Sequence, residues 1–115
     1  MTRTGVGMAL LLDTPDRWAP LYAAEAAVSA PARSSDQFAT RMRRYAVQRA
    51  TFDLEDNEIG IRCVAAPVRG ATGQIVAAIS VSATTPYMSS ARMRSLVPVV
   101  TRASEQVSRR LGYVS

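Results

Sequence analysis

The residues in this chain able to do chemistry are few, and they lie close together. One thiol, Cys63, and two hydroxyls, Ser80 and Ser82, fall in two β-rich runs, Ile61–Arg69 and Gln74–Ala83, on either side of Gly70-Ala-Thr-Gly73. Serine hydroxyls donate and accept, so a pair of them can hold a carboxylate or a carbonyl. Four carboxylates, Asp53, Glu55, Asp56 and Glu58, precede the first run. Their oxygens suit a hard cation, but the spacing is not that of an EF-hand loop, and a solvated acidic connection is the simpler reading. The chain has no histidine. That removes serine and cysteine triads of the usual kind and metal sites built on imidazole, and a single cysteine cannot form a thiolate cage. Cys63 as a nucleophile would need a base and a lowered pKa, and its neighbour Arg62 points to the opposite face of a regular strand. Gly5-Val-Gly7 lacks the third glycine of a dinucleotide fingerprint, and Gly70-Ala-Thr-Gly73 reads as a turn rather than a phosphate loop. The expectation is a binding protein with no catalytic residue, no metal and no cofactor.

The two runs form a hairpin, and alternation makes a definite statement about its faces. If Arg69 pairs with Gln74, then Cys63 lies opposite Ser80 and Ile61 opposite Ser82. Cys63, Ser80 and Ser82 then share one face. Ile75, Ala77, Ile79 and Val81 occupy the other, an apolar face expected to lie under helices. A slip of one residue would break the arrangement. The face with the thiol and hydroxyls is either a surface for a small polar ligand or an ordinary sheet surface. Spacing leaves both open, because a lone cysteine is commonly a small core residue.

Helices must position this hairpin. Residues 4 to 12 read as a short apolar helix, and Asp13 to Pro15 as a break. Asp13 or Thr14 is placed to cap a second helix with Pro15 at its first position, running to about residue 27. Trp18 and Tyr22 on it are expected in a core or an interface. Ser29–Ser35 is a loop. Ser35 or Asp36 caps a third helix to about Gln48, with Phe38, Met42, Tyr45 and Ala46 as its apolar stripe. Ala50–Asp53 is a short strand and Leu54–Gly60 the acidic connection. Ser89 or Ser90 opens a last helix with Met93, Leu96, Val100, Ala103, Val107 and Leu111 as its buried line, a kink or restart at Pro98, and Gly112 at its end. The order is three helices, three strands and one helix. That favours an α+β domain, an antiparallel sheet with packed helices. Three strands make a thin sheet, more natural as part of a larger one.

The chain has 115 residues, enough for one small domain or part of one. No apolar run is long enough to span a membrane, and the apolar stretch Met8–Leu12 is too short for a signal peptide. One cysteine without a partner agrees with a reducing, cytoplasmic compartment. The net charge is +5 and all 14 basic residues are arginine. They are scattered, with local groups at Arg41, Arg43, Arg44 and Arg49 and at Arg109 and Arg110, and no aromatic side chains alternate with them as base-stacking platforms. A solvated surface is the expected reading, with direct DNA contact by these arginines as the weaker one.

The stretch from Phe52 to Val68 resembles the signature of the effector domains of IclR-type bacterial transcription regulators. An aromatic strand end leads into an acidic run, Asp53-Leu-Glu55-Asp56, followed by Gly60 and then Cys63-Val-Ala-Ala66-Pro67-Val68. Beyond the turn, Ala77-Ala-Ile-Ser80-Val-Ser82 is similar to the family's second motif. Thr4-Gly-Val-Gly7-Met8-Ala-Leu-Leu11 resembles an upstream helix of the family, with Met8 where lysine is usual, and Arg109-Arg-Leu-Gly112 fits its final helix. Arg49 stands where glycine is usual before the strand. The resemblance implies a GAF-like fold over residues 1–115, a partial effector-binding domain without a winged helix-turn-helix. It implies a small organic acid as effector, with Asp53, Cys63, Ser80 and Ser82 as pocket residues. DNA would be bound only through the winged helix-turn-helix domain, and no membrane would be involved. It also implies a sheet with one unpaired edge, and with it self-association into homo-oligomers. The alternative is an oligomerisation or structural module that binds neither ligand nor DNA.

Overall fold

Local chemistry sets each boundary in the computed structural model, which describes residues 1–30 and 33–114. Thr4 caps α1 (Gly5–Leu10), its Oγ1 accepting from Gly7 N at 2.9 Å. Pro15 opens a 3-10 turn, Pro15–Arg17, and the α-helix α2 begins after it (Trp18–Val28). Of the expected Ser29–Ser35 loop, residues 31 and 32 lie outside the described residues. The cap of α3 (Ser35–Gln48) is Ser34, one residue earlier than expected, because only Ser34 completes a capping box with Gln37 three positions on. Arg49 ends α3 in the left-handed region, at φ 64°. Three strands follow, β1 (Thr51–Leu54), β2 (Ile61–Arg69) and β3 (Ile75–Thr84). A second 3-10 turn, Thr85–Tyr87, leads to α4 (Ser90–Arg110), capped by Ser89. Gly112, at φ 94°, closes α4, with Tyr113 N bonding Ser108 O and Gly112 N bonding Arg109 O, both at 3.0 Å. The expected kink or restart at Pro98 is not a break, since α4 runs through it. Pro98 and Arg94, whose carbonyl loses its partner there, are both exposed, so the lost bond falls on the solvent side.

The sheet is antiparallel in the order β1-β2-β3. The expected hairpin register is corrected. Cys63 lies opposite Ser82, not Ser80, and Ser80 lies opposite Ala65, while Ile61 faces Thr84 rather than Ser82. Two departures cause the shift. Arg69 pairs with Ile75, making the turn one residue longer than assumed, and an irregularity beyond it pairs Val68 with Ala77. Each adds one residue to β3, so together they restore the parity and Cys63, Ser80 and Ser82 still share a face. Ile75, before the irregularity, moves to the side of Arg69 and packs against the core under α1–α3 instead of joining Ala77, Ile79 and Val81.

Helices cover both faces of β1 and β2. On one, Met88, Met93 and Val100 pack over Ala50, Val64 and Ala66. On the other, Ala9 of α1 packs on Cys63 and Ala65. A third cluster joins Met8, Leu11, Trp18, Tyr22, Phe38 and Met42 between α1, α2 and α3, with Tyr22 and Phe38 stacked at 4.6 Å between ring centroids. Trp18 and Tyr22 are thus core residues. The expected cover of Ala77, Ile79 and Val81 fails at β3, where Val81 is 41% exposed and Ala77 is exposed, because α4 sits over β2. The buried line of α4 also drifts. Ser104 and Ser108 face inward, and Val107 and Leu111 stay exposed. Ser108 has a specific task there, since its Oγ accepts Arg69 N at 2.9 Å at the irregular end of β2 and donates to Ser104 O at 2.7 Å.

Of the acidic connection, Asp56 folds inward, while Asn57, Glu58 and Ile59 stay exposed as expected. The side chain of Asp56 is only 10% exposed and that of Arg41 13%. The Arg41 guanidinium donates to both Asp56 oxygens at 2.9 Å and to Phe52 O at 2.9 Å, its Nε donates to Tyr45 Oη at 3.0 Å, and Arg33 adds a second cation on Asp56. Leu54 N also donates to the Asp56 carboxylate, at 2.8 Å. Burial by itself would raise the Asp56 pKa, but the Arg41 hydrogen bonds, the Leu54 amide and the two guanidinium charges together outweigh it and hold the carboxyl below its ordinary value. The network ties α3 to the end of β1 and so sets where β1 meets β2.

Two predictions follow from this packing. A depressed carboxyl pKa stabilises the fold fully above the unfolded-state pKa, and this is lost as pH falls through the folded value. Arg41→Ala should therefore cost about 3 kcal/mol at pH 7 in urea unfolding, and the difference from the parent should shrink below about pH 4, where carboxylates titrate. An equal gap at pH 7 and pH 3 (both values about those limits) would remove the ion pair from the account. The second concerns the seating of α1. A methyl group at Gly5 would stand 2.8 Å from Cys63 Sγ, so Gly5→Ala should destabilise by about 1–3 kcal/mol, and by clearly less in a Cys63→Ala background. A double-mutant cycle with no coupling would contradict that contact.

Candidate functional site

Two rows of residues cross the sheet on the face under α1. Asp53 pairs with Cys63 and Cys63 with Ser82, giving the row Asp53–Cys63–Ser82. Thr51 pairs with Ala65 and Ala65 with Ser80, giving the next row, Thr51–Ala65–Ser80. Directly opposed residues on antiparallel strands point to the same side. All four residues expected in the pocket therefore lie on one face, in adjacent rows.

Their surroundings grade from buried to open. Asp53 is 5% exposed and Cys63 7%, both beneath the start of α1, while Ser80 and Ser82 are exposed on β3 beyond its cover. Asp53 Oδ1 accepts the amide of Asp56 at 2.8 Å. Burial pushes the Asp53 carboxyl above its ordinary value, the amides of Asp56 and Asn57 pull it back, and the neighbouring Asp56 carboxylate pushes it up further. Cys63 is a free thiol in contact with α1. The hydroxyls of Ser80 and Ser82 stand at the open edge, where a polar ligand can reach them.

The sequence reading missed the part played by three residues. Thr51, fully buried, donates from Oγ1 to Gly5 O at 2.6 Å and so pins the first turn of α1 over Cys63. Its parity with Asp53 was the available signal. Arg41 and Asp56 support the site from behind, and no sequence spacing signals a pair fifteen residues apart. A cavity of about 350 Å³ opens beside this network, with Thr2, Tyr22, Arg41 and Asp56 among its walls. A larger one, about 610 Å³, lies at the other end of β2, and none of the four expected pocket residues lines either cavity. Among the described residues no group of three or more His, Cys, Asp or Glu side chains is arranged to hold a metal ion. No helix is long and apolar enough to cross a membrane.

Comparison with known proteins places this geometry in a family. The HTH-type transcriptional regulator XynR of Escherichia coli K12 is 36% identical over 95 residues, which is 83% of this chain and 33% of that protein. The regulator BhcR of Paracoccus denitrificans is 38% identical over 68 residues, 59% of this chain and 23% of that protein. The chain thus spans a third or less of the length of these curated relatives, which are named as regulators and not as enzymes. In structure, the chain resembles the Agobacterium tumefaciens repressor BlcR with a TM-score of 0.86 over 99% of this chain and 47% of that one, a likeness of fold at 21% identity. The C-terminal domain of E. coli KdgR follows with a TM-score of 0.74 and 25% identity over 96% of this chain and 70% of that domain. Residues 3–109 match the family described as bacterial transcriptional regulator IclR C-terminal, and this chain belongs to that family.

Proposed function

We propose that this chain is the ligand-sensing part of a cytoplasmic IclR-type regulator. A small organic acid binds the sheet face under α1 and controls DNA binding by a separate winged helix-turn-helix domain. Residues 1–115 are read as part of one effector-binding domain. The observation that carries the reading is the pair of rows Asp53–Cys63–Ser82 and Thr51–Ala65–Ser80, which bring one carboxyl, one thiol and two open hydroxyls to a single face. Ser80 and Ser82 would donate to the carboxylate of the ligand. Cys63 would form the floor, and Asp53, with its raised pKa, would bond the acid from the buried side. Ligand binding switches such a protein only if it favours one arrangement of subunits or domains over another. Four of the arginines are committed within the fold, since Arg33 and Arg41 are held by Asp56, Arg62 stands by Glu55, and Arg69 is held by Asp13.

A second reading, an oligomerisation module, draws on β3. Its outer edge has no strand partner among the described residues, and Val76 and Val81 on it are 57% and 41% exposed. The two readings are compatible and are tested separately. Calorimetric titration with the unhydroxylated acids formate, pyruvate and succinate should show binding of at least one acid, weakened at least about tenfold in Ser80→Ala/Ser82→Ala, the loss of about 1.4 kcal/mol expected for hydrogen bonds to a charged group. Binding unchanged in the double variant, or no binding at all, would remove the sensor reading. For the edge, the chain should self-associate in sedimentation, and Val81→Lys should return it to monomers. A monomeric parent would remove the second reading.

A further inference from the structure

The cavity of about 610 Å³ at the far end of β2 has the size of a small-molecule site. It lies between the ends of α1, α3 and β2 and the last turns of α4. Three arginines reach it, Arg49, Arg69 and Arg109, and they are held differently. Arg69 is pinned, its guanidinium donating to Asp13 through both terminal nitrogens and to Gly73 O at 2.8 Å. Arg109 has only a loose pairing with Glu105, 3.6 Å apart on the exposed face of α4, a contact of little strength. Arg49 makes no ion pair and no side-chain hydrogen bond with any described residue. It also stands directly after α3, as its C-cap, where an arginine is conformationally costly. At φ 64° it ends the helix in the left-handed region, which glycine enters without strain and a residue bearing a Cβ enters only at a cost. Strained positions of this kind concentrate where a side chain has a function.

The floor adds a second kind of recognition. Thr101 Oγ1 donates to Val97 O at 2.8 Å and Ser104 Oγ to Thr101 O at 2.9 Å, so both hydroxyl protons are spent within α4. Their oxygens, at the wall of the cavity, are left as acceptors. Two carboxylates line the cleft as well, Asp13 neutralised by Arg69 and Glu105 paired loosely with Arg109, so the uncompensated cation is that of Arg49, and with the acceptors on the floor it suits a ligand with an anionic end and hydroxyl donors along its body. We propose that this cleft is a binding site, separate from the Asp53–Cys63–Ser82 face, for a small hydroxylated anion whose carboxylate or phosphate is held by Arg49 and Arg109.

The site is tested with three probes, inorganic phosphate, gluconate and glycerol 3-phosphate, titrated calorimetrically into the parent chain, Arg49→Gly, Arg109→Gln and Ser80→Ala/Ser82→Ala. At least one probe should bind the parent, bind Arg49→Gly about tenfold or more weakly, lose affinity in Arg109→Gln, and bind the double serine variant as it binds the parent. Arg49→Gly should also melt at a higher temperature than the parent, because glycine relieves the left-handed cap. That gain separates lost binding from lost folding. A probe weakened only in the double serine variant belongs to the other face and overturns this proposal, as do equal affinities in Arg49→Gly and the parent, or the absence of binding by all three probes. A gluconate effect without glycerol 3-phosphate or phosphate assigns the anion as a carboxylate, and the reverse pattern assigns it as a phosphate.

Discussion

Strand register is the constraint on which the rest of this molecule depends. Side chains two residues apart on a strand share a face, so the pairing of β2 with each neighbour decides which groups meet. The pairing of Asp53 with Cys63 and of Cys63 with Ser82 puts a carboxyl, a thiol and a hydroxyl in one line. The long turn and the irregularity after Val68 each move β3 by one residue. Either alone would turn Ser80 and Ser82 to the side of α4. Acting together, they keep the serines facing α1's side and send only Ile75 to the core beneath α1–α3. Arg69, at the irregular pair, has its amide bonded by Ser108 of α4, which keeps a polar backbone group from being stranded there.

The register is held from outside the sheet. Thr51 fixes the first turn of α1 by its bond to Gly5 O, and Gly5 permits the close approach because any side chain there would meet the Cys63 sulfur. Arg41 ties α3 to the carbonyl of Phe52 and to Asp56, fixing the end of β1. The face is thus rigid where it is buried, at Asp53 and Cys63, and open where β3 leaves the cover of α1. Accessible hydroxyls at the open edge suit the carboxylate of an acid that enters from there, with the buried Asp53 carboxyl left to accept from donor groups on the body of the ligand. The acidic character of the connection after β1 is spent on structure through Asp56 and its two arginines, so Asp53 does not face an unpaired carboxylate.

Much of this was legible from residue types alone. Period-two alternation assigned Cys63, Ser80 and Ser82 to one face even though the assumed pairs were wrong, because the two one-residue shifts of register cancel in parity. Apolar spacing located α3 and most of its stripe, and Gly112 marked the end of α4. What sequence could not supply was set by tertiary contact. The number of residues absorbed at the end of the hairpin depends on Ser108 and the packing of Ile75, which no local pattern encodes. Asp56 looked like a solvated acid until Arg33 and Arg41 were brought to it across the fold. Ser104 and Ser108 took the inward positions on α4 that Val107 and Leu111 were expected to fill, and Ser108 there receives the Arg69 amide at the end of β2. Asp53 entered the site through family likeness, and its pairing with Cys63 gives that assignment a geometric support.

The most direct test of this account is a crystal structure of the chain with a bound carboxylate. The account predicts the ligand over the Cys63–Ser82 pair, its carboxylate within hydrogen-bonding distance of the Ser80 and Ser82 hydroxyls and its body against α1 and Asp53. A carboxylate found on the side of Val64 and Val81, with the Cys63 row left empty, would contradict it.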